Sequence, residues 1–301
     1  MSDYTALLFY KYIPIEDPVA LKNSQRELCL KLNLKGRVII AEEGINATLE
    51  GSSQDIEEYI QTMLQDPRFL DIQWKKSVGS GSAFPKLSIK VRSEIVAGRL
   101  GQDDIKPWEV TGKYLQPEEL NGWIHSGREF YIVDMRNDFE QEVGFFSGSI
   151  LTKMEHFGDL PKVVPQIEHL KNKAILTVCT GGVRCEKASG FLVKHGFSDV
   201  YQLYGGIVSY MEKYPNEDFV GALYTFDNRL VMGFNMEDPK RVIVGKCVKC
   251  GKPSENFINC LDDFCHRHFI ACSDCLEGRD KMFCPTGCRD YSKEHPEAPG
   301  I

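Results

Sequence analysis

Two groups of residues have the types and spacing to do chemistry. The first surrounds Cys179. A short apolar run, Ala174-Ile175-Leu176-Thr177-Val178, stops at that cysteine, and Thr180, Gly181, Gly182, Val183, Arg184 and Cys185 follow. The pattern reads as strand, tight loop and helix, with the thiol at the carboxyl end of the strand. Backbone N–H groups turned inward in such a loop, together with the positive end of the helix, favour a thiolate over a thiol. Cys179 is therefore expected to be a nucleophile of lowered pKa. Gly181 and Gly182 permit the close turn, and Arg184 offers positive charge to an anionic sulfur or substrate. Cys185, directly after the arginine, is either a second thiol acting with Cys179 or a small helix residue facing the core.

The second group lies near the C-terminus. Eight of the 11 cysteines are Cys247, Cys250, Cys260, Cys265, Cys272, Cys275, Cys284 and Cys288. Cys247/Cys250 and Cys272/Cys275 are C-x-x-C pairs; Cys260/Cys265 and Cys284/Cys288 are looser, with His266 and His268 between the pairs. Thiolates at such spacing suit tetrahedral zinc, and eight of them suffice for two ions, side by side or interleaved. The alternative is a set of reduced thiols or disulfides.

The elements that carry these groups fall into three units. At the N-terminus a strand over Thr5–Tyr12 precedes a helix capped by Asp17-Pro18 and running to Gly36. Strands at Arg37–Ala41 and Asn46–Glu50 follow, then a helix from Ser53, then strands at Ile72–Ser77 and Leu87–Val91. This β-α-β-β-α-β order predicts a ferredoxin-like α+β sandwich over residues 1–97. Residues 98–116 read as a linker. From 117 to 220 helices and strands alternate: a helix over Pro117–His125, strands at Phe130–Asp134, Ala174–Val178 and Val200–Leu203, and helices at Arg184–His195 and from Gly206 to Lys213. That alternation predicts a parallel α/β sheet with Cys179 at its carboxyl edge. Residues 221–301 form the cysteine-rich tail, too poor in apolar residues to rely on a core alone.

Composition sets the outer limits. Hydrophobic residues make up 42% of the 301 and charged residues 26%, an ordinary globular balance. No basic segment leads into an apolar stretch at Met1-Ser2-Asp3-Tyr4, and no apolar run reaches membrane-spanning length, so a cytoplasmic protein without a membrane partner is expected. In that compartment cysteines serve chemistry or metal rather than disulfides. The net charge is −7, so a nucleic acid must be met by a local basic patch. The candidate is the stretch 75–99, with Lys75, Lys76, Lys86, Lys90, Arg92 and Arg99 against the single acid Glu94. It reads either as a phosphate-contacting surface, with Gly79-Ser80-Gly81-Ser82 as an adaptable loop, or as a solvated strand face. Glu42 and Glu43 are likewise either a paired acid site or a solvated turn.

The motifs resemble those of known families. Cys179-Thr180-Gly181-Gly182-Val183-Arg184 resembles the active-site loop of rhodanese domains, whose first cysteine carries a persulfide. Ile132-Val133-Asp134-Met135-Arg136-Asn137-Asp138-Phe139-Glu140, followed by Gly144 and Gly148-Ser149-Ile150, resembles the upstream rhodanese signature. Together with Ala41-Glu42-Glu43-Gly44-Ile45-Asn46 in a ferredoxin-like (acylphosphatase-like) unit and the cysteine-rich tail, the whole chain resembles the oxygen-dependent tRNA wobble-uridine hydroxylases. That resemblance implies an oxidoreductase acting at C5 of the anticodon wobble uridine of certain tRNAs, with molecular oxygen as co-substrate and with Cys179 and Cys185 required. The zinc rests on cysteine spacing and not on the resemblance. Neither a two-histidine, one-carboxylate iron triad nor a dinucleotide-binding glycine fingerprint is evident, and the electron donor is unknown. The alternative is a rhodanese-type sulfurtransferase passing sulfane sulfur through a Cys179 persulfide.

Overall fold

The computed structural model describes residues 3–262, 265, 267–277, 283–285 and 288. The N-terminal unit runs β1 (Tyr4–Tyr12), α1 (Pro18–Lys31), β2 (Lys35–Ala41), β3 (Gly44–Ser52), α2 (Ser53–Met63), β4 (Lys75–Val78) and β5 (Leu87–Val91). Its strands order β4-β1-β3-β2-β5. The first four neighbours are antiparallel, the ferredoxin-like arrangement expected, and β5 adds a fifth strand parallel to β2. Asp17 caps α1 by accepting from the Val19 and Ala20 N–H groups, with Pro18 in the first turn. The helix ends at Lys31, earlier than Gly36, because Asn33 takes φ +50° and Leu34 turns back to the Cys29 carbonyl. Helix α2 is capped by Ser52, which accepts from the Asp55 N–H.

Strand β1 has no polar face. Leu7 and Phe9 enter the core shared with Leu21, Ile56, Tyr59 and Ile60 of the two helices. Ala6, Leu8, Tyr10 and Tyr12, on the opposite face by the two-residue period, are turned to the rest of the molecule.

The central unit contains β6 (Lys113–Leu115), α3 (Pro117–His125), β7 (Tyr131–Asp134), α4 (Asp138–Gln141), β8 (Gly144–Phe146), β9 (Ile150–Leu151), α5 (Val163–Ile167), β10 (Ala174–Val178), α6 (Val183–Lys194), β11 (Asp199–Leu203) and α7 (Gly206–Lys213). A parallel sheet of order β6-β11-β10-β7-β9 places β10, which leads to Cys179, at the centre. The stretch expected to be a linker is instead largely built in. Leu100 and Ile105 are buried in this unit's core, and β6 pairs with β11. A three-residue strand is too short to show a period, and two isolated apolar residues among turn formers give no pattern.

Short strands β12 (Phe219–Gly221), β13 (Leu223–Tyr224) and β14 (Val231–Met232) then lead to the tail, where β15 (Phe257–Asn259) pairs with β16 (His268–Ile270). No helix among the described residues is long and apolar enough to cross a membrane.

Candidate active site

The loop after β10 has the geometry of an anion cradle. Gly182 takes φ +102° as the cap of α6, and its N–H donates to the Cys179 Sγ at 3.2 Å. That conformation and the crowding above it leave room only for glycine, since a Cβ there would lie 2.7 Å from the Tyr10 hydroxyl. Gly206, at the start of α7, packs as closely from below: a Cβ would meet the Cys179 carbonyl oxygen at 2.7 Å. Burial pushes the Cys179 thiol up. The hydrogen bond from the Cys185 side chain, the Arg184 charge and the backbone N–H groups of Cys185 and Arg184 outweigh it, and the pKa falls to about 6. The Cys185 thiol moves the opposite way, raised first by burial and then by the neighbouring Cys179 sulfur. The two shifts run in opposite directions, which favours the anion on Cys179 and the proton on Cys185.

Arg184 acts on the sulfur through its charge, while its hydrogen bonds go elsewhere. Its two Nη atoms donate to Glu140 at 2.5 and 2.8 Å, and Nη2 also reaches the Thr180 hydroxyl at 3.3 Å. Burial pushes the Glu140 carboxyl up, but Arg184 more than offsets it and the net shift is downward. Glu140 is held in turn by the upstream motif. Asp134 and Arg136, both fully buried, form a two-pronged ion pair, and Arg136 donates to the carbonyls of Glu140 and Gly144. The second sequence signature therefore positions the carboxylate that positions the arginine.

The sulfur does not face solvent. Cys179 is 0% exposed, because the outward face of β1 lies over the loop. Leu8 covers Gly181, where a Cβ would come within 2.7 Å of Leu8 Cδ2. Tyr10 donates to Glu186 at 3.0 Å and Tyr12 to the Val183 carbonyl at 3.2 Å. Lys187, also 0% exposed, fixes the same interface through Glu43 at 2.7 Å, Asp104 at 2.9 Å and Glu94 at 3.6 Å. Glu43 also accepts from the Ile95 N–H at 2.8 Å, so of the two acids in the β2–β3 turn this one is an interdomain acceptor.

The basic stretch divides. Lys75 and Lys76 lie on β4, and Lys90 lies on β5 with Lys86 just before it, at the opposite edges of the five-stranded sheet. Lys86, Lys90, Arg92 and Arg99 are exposed, and Lys76 is exposed and paired with Glu57. Lys75, by contrast, is only 7% exposed. It sits directly opposite Leu8 in the β1–β4 ladder, hence on the face turned to the loop, with Nζ 5.0 Å from the Tyr10 ring centroid. Burial pulls its ammonium pKa down to about 8, against the opposing pull of Cys179 and Glu186. Counting charges along the chain does not distinguish this lysine from its solvated neighbours.

In the tail the cysteine pairs interleave. Cys247 and Cys250 meet Cys272 and Cys275; Cys260 and Cys265 meet Cys284 and Cys288; within each group the sulfurs lie within 4.8 Å of one another. Individual separations are 3.6 Å for Cys250–Cys272, 3.6 Å for Cys265–Cys284 and 3.4 Å for Cys284–Cys288. Four thiolates around one zinc at about 2.3 Å stand roughly 3.8 Å apart, so both groups fit a tetrahedral ion. His268 belongs to neither group and bonds the Tyr224 hydroxyl at 2.8 Å; His266 lies outside the described residues.

Comparison with known proteins agrees with this arrangement. Residues 4–95 match the UPF0176 acylphosphatase like domain, 116–213 the rhodanese-like domain and 220–289 the rhodanase C-terminal domain. A protein of Cytophaga hutchinsonii named tRNA uridine(34) hydroxylase is 40% identical over 297 residues, covering 99% of this chain and 92% of its own. The chain belongs to the tRNA uridine(34) hydroxylase family. Relatives of the same name from Bacillus licheniformis and the Aster yellows witches'-broom phytoplasma are each 40% identical, covering 98% of this chain and 92% and 94% of theirs.

Within this hydroxylase family fold, sequence reasoning singled out Cys179, Arg184 and Cys185, and the structure brings the three together. Glu140 appeared only as part of a motif, with no role assigned. Lys75, Tyr10 and Lys187 reach the loop from a different domain or through it, and only the two-sided apolarity of β1 signalled that a second surface packs there.

Proposed function

We propose that this chain hydroxylates C5 of uridine 34, the anticodon wobble position of tRNA, with molecular oxygen as co-substrate. The observation that carries the reading is a buried Cys179 whose sulfur accepts from the Gly182 N–H in an intact loop, within a chain that matches the hydroxylase relatives over nearly its full length. In this reading the Cys179 sulfur adds to C6 of the uracil. An S–C6 bond forms, and the C5–C6 π pair is delocalised onto C5 and the C4 carbonyl oxygen, which makes C5 nucleophilic towards oxygen. One oxygen atom enters at C5 and the other leaves as water with two protons and two electrons. The electrons come from a two-electron reductant supplied to the chain. Loss of the C5 proton and release of the sulfur restore the ring double bond. Arg184, held by Glu140, and the Cys185 thiol stabilise the leaving thiolate.

Zinc in the two tail groups would be held by Cys247, Cys250, Cys272 and Cys275, and by Cys260, Cys265, Cys284 and Cys288. It would supply the cross-linking that so small a core lacks. A tRNA substrate is the macromolecular partner of this reaction and supports a cytoplasmic location.

The test is isotopic. Wild-type protein with undermodified tRNA, a reductant and labelled dioxygen should yield labelled 5-hydroxyuridine at position 34. Sulfur in the nucleoside without oxygen label would instead assign the chain to sulfur transfer through a Cys179 persulfide.

A further inference from the structure

Four cations are buried among the described residues: Lys75, Arg136, Arg184 and Lys187. Three have carboxylates in contact: Asp134 for Arg136, Glu140 for Arg184, and Glu43 with Asp104 for Lys187. Lys75 has none; its one polar contact is the Gln73 carbonyl at 3.5 Å, the outer limit of a hydrogen bond. A buried ammonium with three donors and only this one long contact to an acceptor is costly, and a ligand oxygen would supply what is missing.

Lys75 lines a cavity of about 80 Å³ at the junction of the three parts of the chain. Leu8 comes from the N-terminal sheet, Thr180 and Val208 from the catalytic loop and α7, and Leu223 and Phe226 from the segment before the tail. The wall is mainly apolar, and Thr180, which borders it, is bonded to Cys179. Phe226, 47% exposed, also borders a cleft of about 750 Å³ that opens beside it between the same three parts.

We propose that this cavity receives the pyrimidine ring of an unstacked nucleotide and that Lys75 Nζ donates a hydrogen bond to the base's C4 carbonyl oxygen. The inference rests on the hydroxylase reading and adds to it the residue that recognises the base. A mainly apolar cavity suits a uracil, whose faces are apolar and whose C4 oxygen is an acceptor; of the cations that line it, Lys76 is paired with Glu57 and Arg229 with Asp227, which leaves the Lys75 ammonium to meet that oxygen. Cytosine places an amino donor at the same position, which the ammonium opposes. When sulfur adds to C6 the displaced electron pair comes to rest on that oxygen, so the same hydrogen bond strengthens as the adduct forms, and no proton need be transferred. At about 80 Å³ the cavity is smaller than the ~150 Å³ that admits benzene. Entry therefore requires Phe226 to swing from the wall, after which its ring is available to stack on the base or its neighbour.

The experiment uses the full chain and two anticodon stem-loop RNAs that differ only in carrying uridine or cytidine at the target position. Single-turnover hydroxylation, stem-loop affinity and the pH midpoint of the Cys179 thiolate are measured for wild type, Lys75→Met and Lys75→Gln. Lys75→Met should lower the rate on uridine by about 100- to 1,000-fold, the usual effect of losing one donor to a developing oxyanion. Affinity for the uridine stem-loop should fall towards that for the cytidine one, and the thiolate midpoint should stay below 7. Lys75→Gln, which keeps an uncharged donor, should recover part of the rate. A Lys75→Met rate within threefold of wild type would overturn the proposal, as would an undiminished preference for uridine. So would a variant of native far-ultraviolet spectrum in which Gln rescues nothing. Absence of product from wild type would be a failure of the hydroxylase reading itself, and it is recognised before any variant is compared.

Discussion

Lys75 should make the protein less stable at neutral pH than at alkaline pH, and Lys75→Met should remove that dependence. Burial lowers the ammonium pKa from 10.5 to about 8. Between those values the unfolded chain holds the proton more tightly than the folded one, so stability rises as the pH climbs from about 8 towards 10.5. At roughly 1.4 kcal/mol per unit, the charged lysine costs about 3 kcal/mol below the folded-state value, a cost that falls to about 1 kcal/mol near pH 10. Met fills a similar volume without a charge. The stability difference between variant and wild type should therefore be larger at neutral pH than near pH 10 by about 2–3 kcal/mol in favour of the variant. Part of the gain is offset by the lost contact with the Tyr10 ring, about 0.5–2 kcal/mol, which does not depend on pH over this range. Urea unfolding followed by tryptophan fluorescence suits the measurement, because Trp74 packs against Phe9 beside the mutated residue. A difference that is flat between the two pH values would refute the reasoning. So would a variant less stable than wild type by more than about 2 kcal/mol at neutral pH, since Lys75 would then have a partner in the fold.

Cys179→Ser should abolish modification without loss of fold, and in wild type the single-turnover rate should fall about tenfold per pH unit below the thiolate midpoint near 6. A rate independent of pH down to about 5 would remove the thiolate from the mechanism. Cys185→Ala deletes a donor to that thiolate, so the midpoint, read from thiolate absorbance, should rise; an unchanged midpoint would mean the backbone donors and Arg184 suffice. Glu140→Gln leaves Arg184 buried without its carboxylate and should cost about 3–5 kcal/mol in unfolding free energy, much of it recovered in a Glu140→Gln/Arg184→Met double variant. Protein purified without chelator should contain two zinc ions per chain, and Cys247→Ser should lower the count by one and raise protease sensitivity beyond residue 220; a count below one would refute zinc in the tail.

Much of this was legible along the chain, for identifiable reasons. The helix at Pro117–His125 and the strand at Ala174–Val178 stand as read, since each carries its own period and a clear boundary. The loop was legible because its chemistry is local: cysteine, glycines and arginine act within six residues of one another. Two things were not. The covering of the loop by β1 is a tertiary event, visible in sequence only as a strand apolar on both sides. The environment of Lys75 was hidden because a charge count treats every lysine as solvated, and the register opposite Leu8 that turns this one inward depends on strand pairing.

The contact of Lys187 with Glu43, Glu94 and Asp104 has a consequence for how this architecture is inherited. A buried cation shared among carboxylates from separate segments adds little net stability over an apolar contact of equal size, but it tolerates only one alignment of the pieces that supply it. The N-terminal unit and the loop-bearing unit are thus not freely exchangeable modules, although each has its own core. A chimera taking its first unit from a relative without an acid at position 43 should fold in both halves yet sit askew, leaving the Cys179 sulfur open to thiol reagents that the native interface excludes. Lineages that shuffle the first unit must carry the acids along with the lysine or lose the roof over the sulfur.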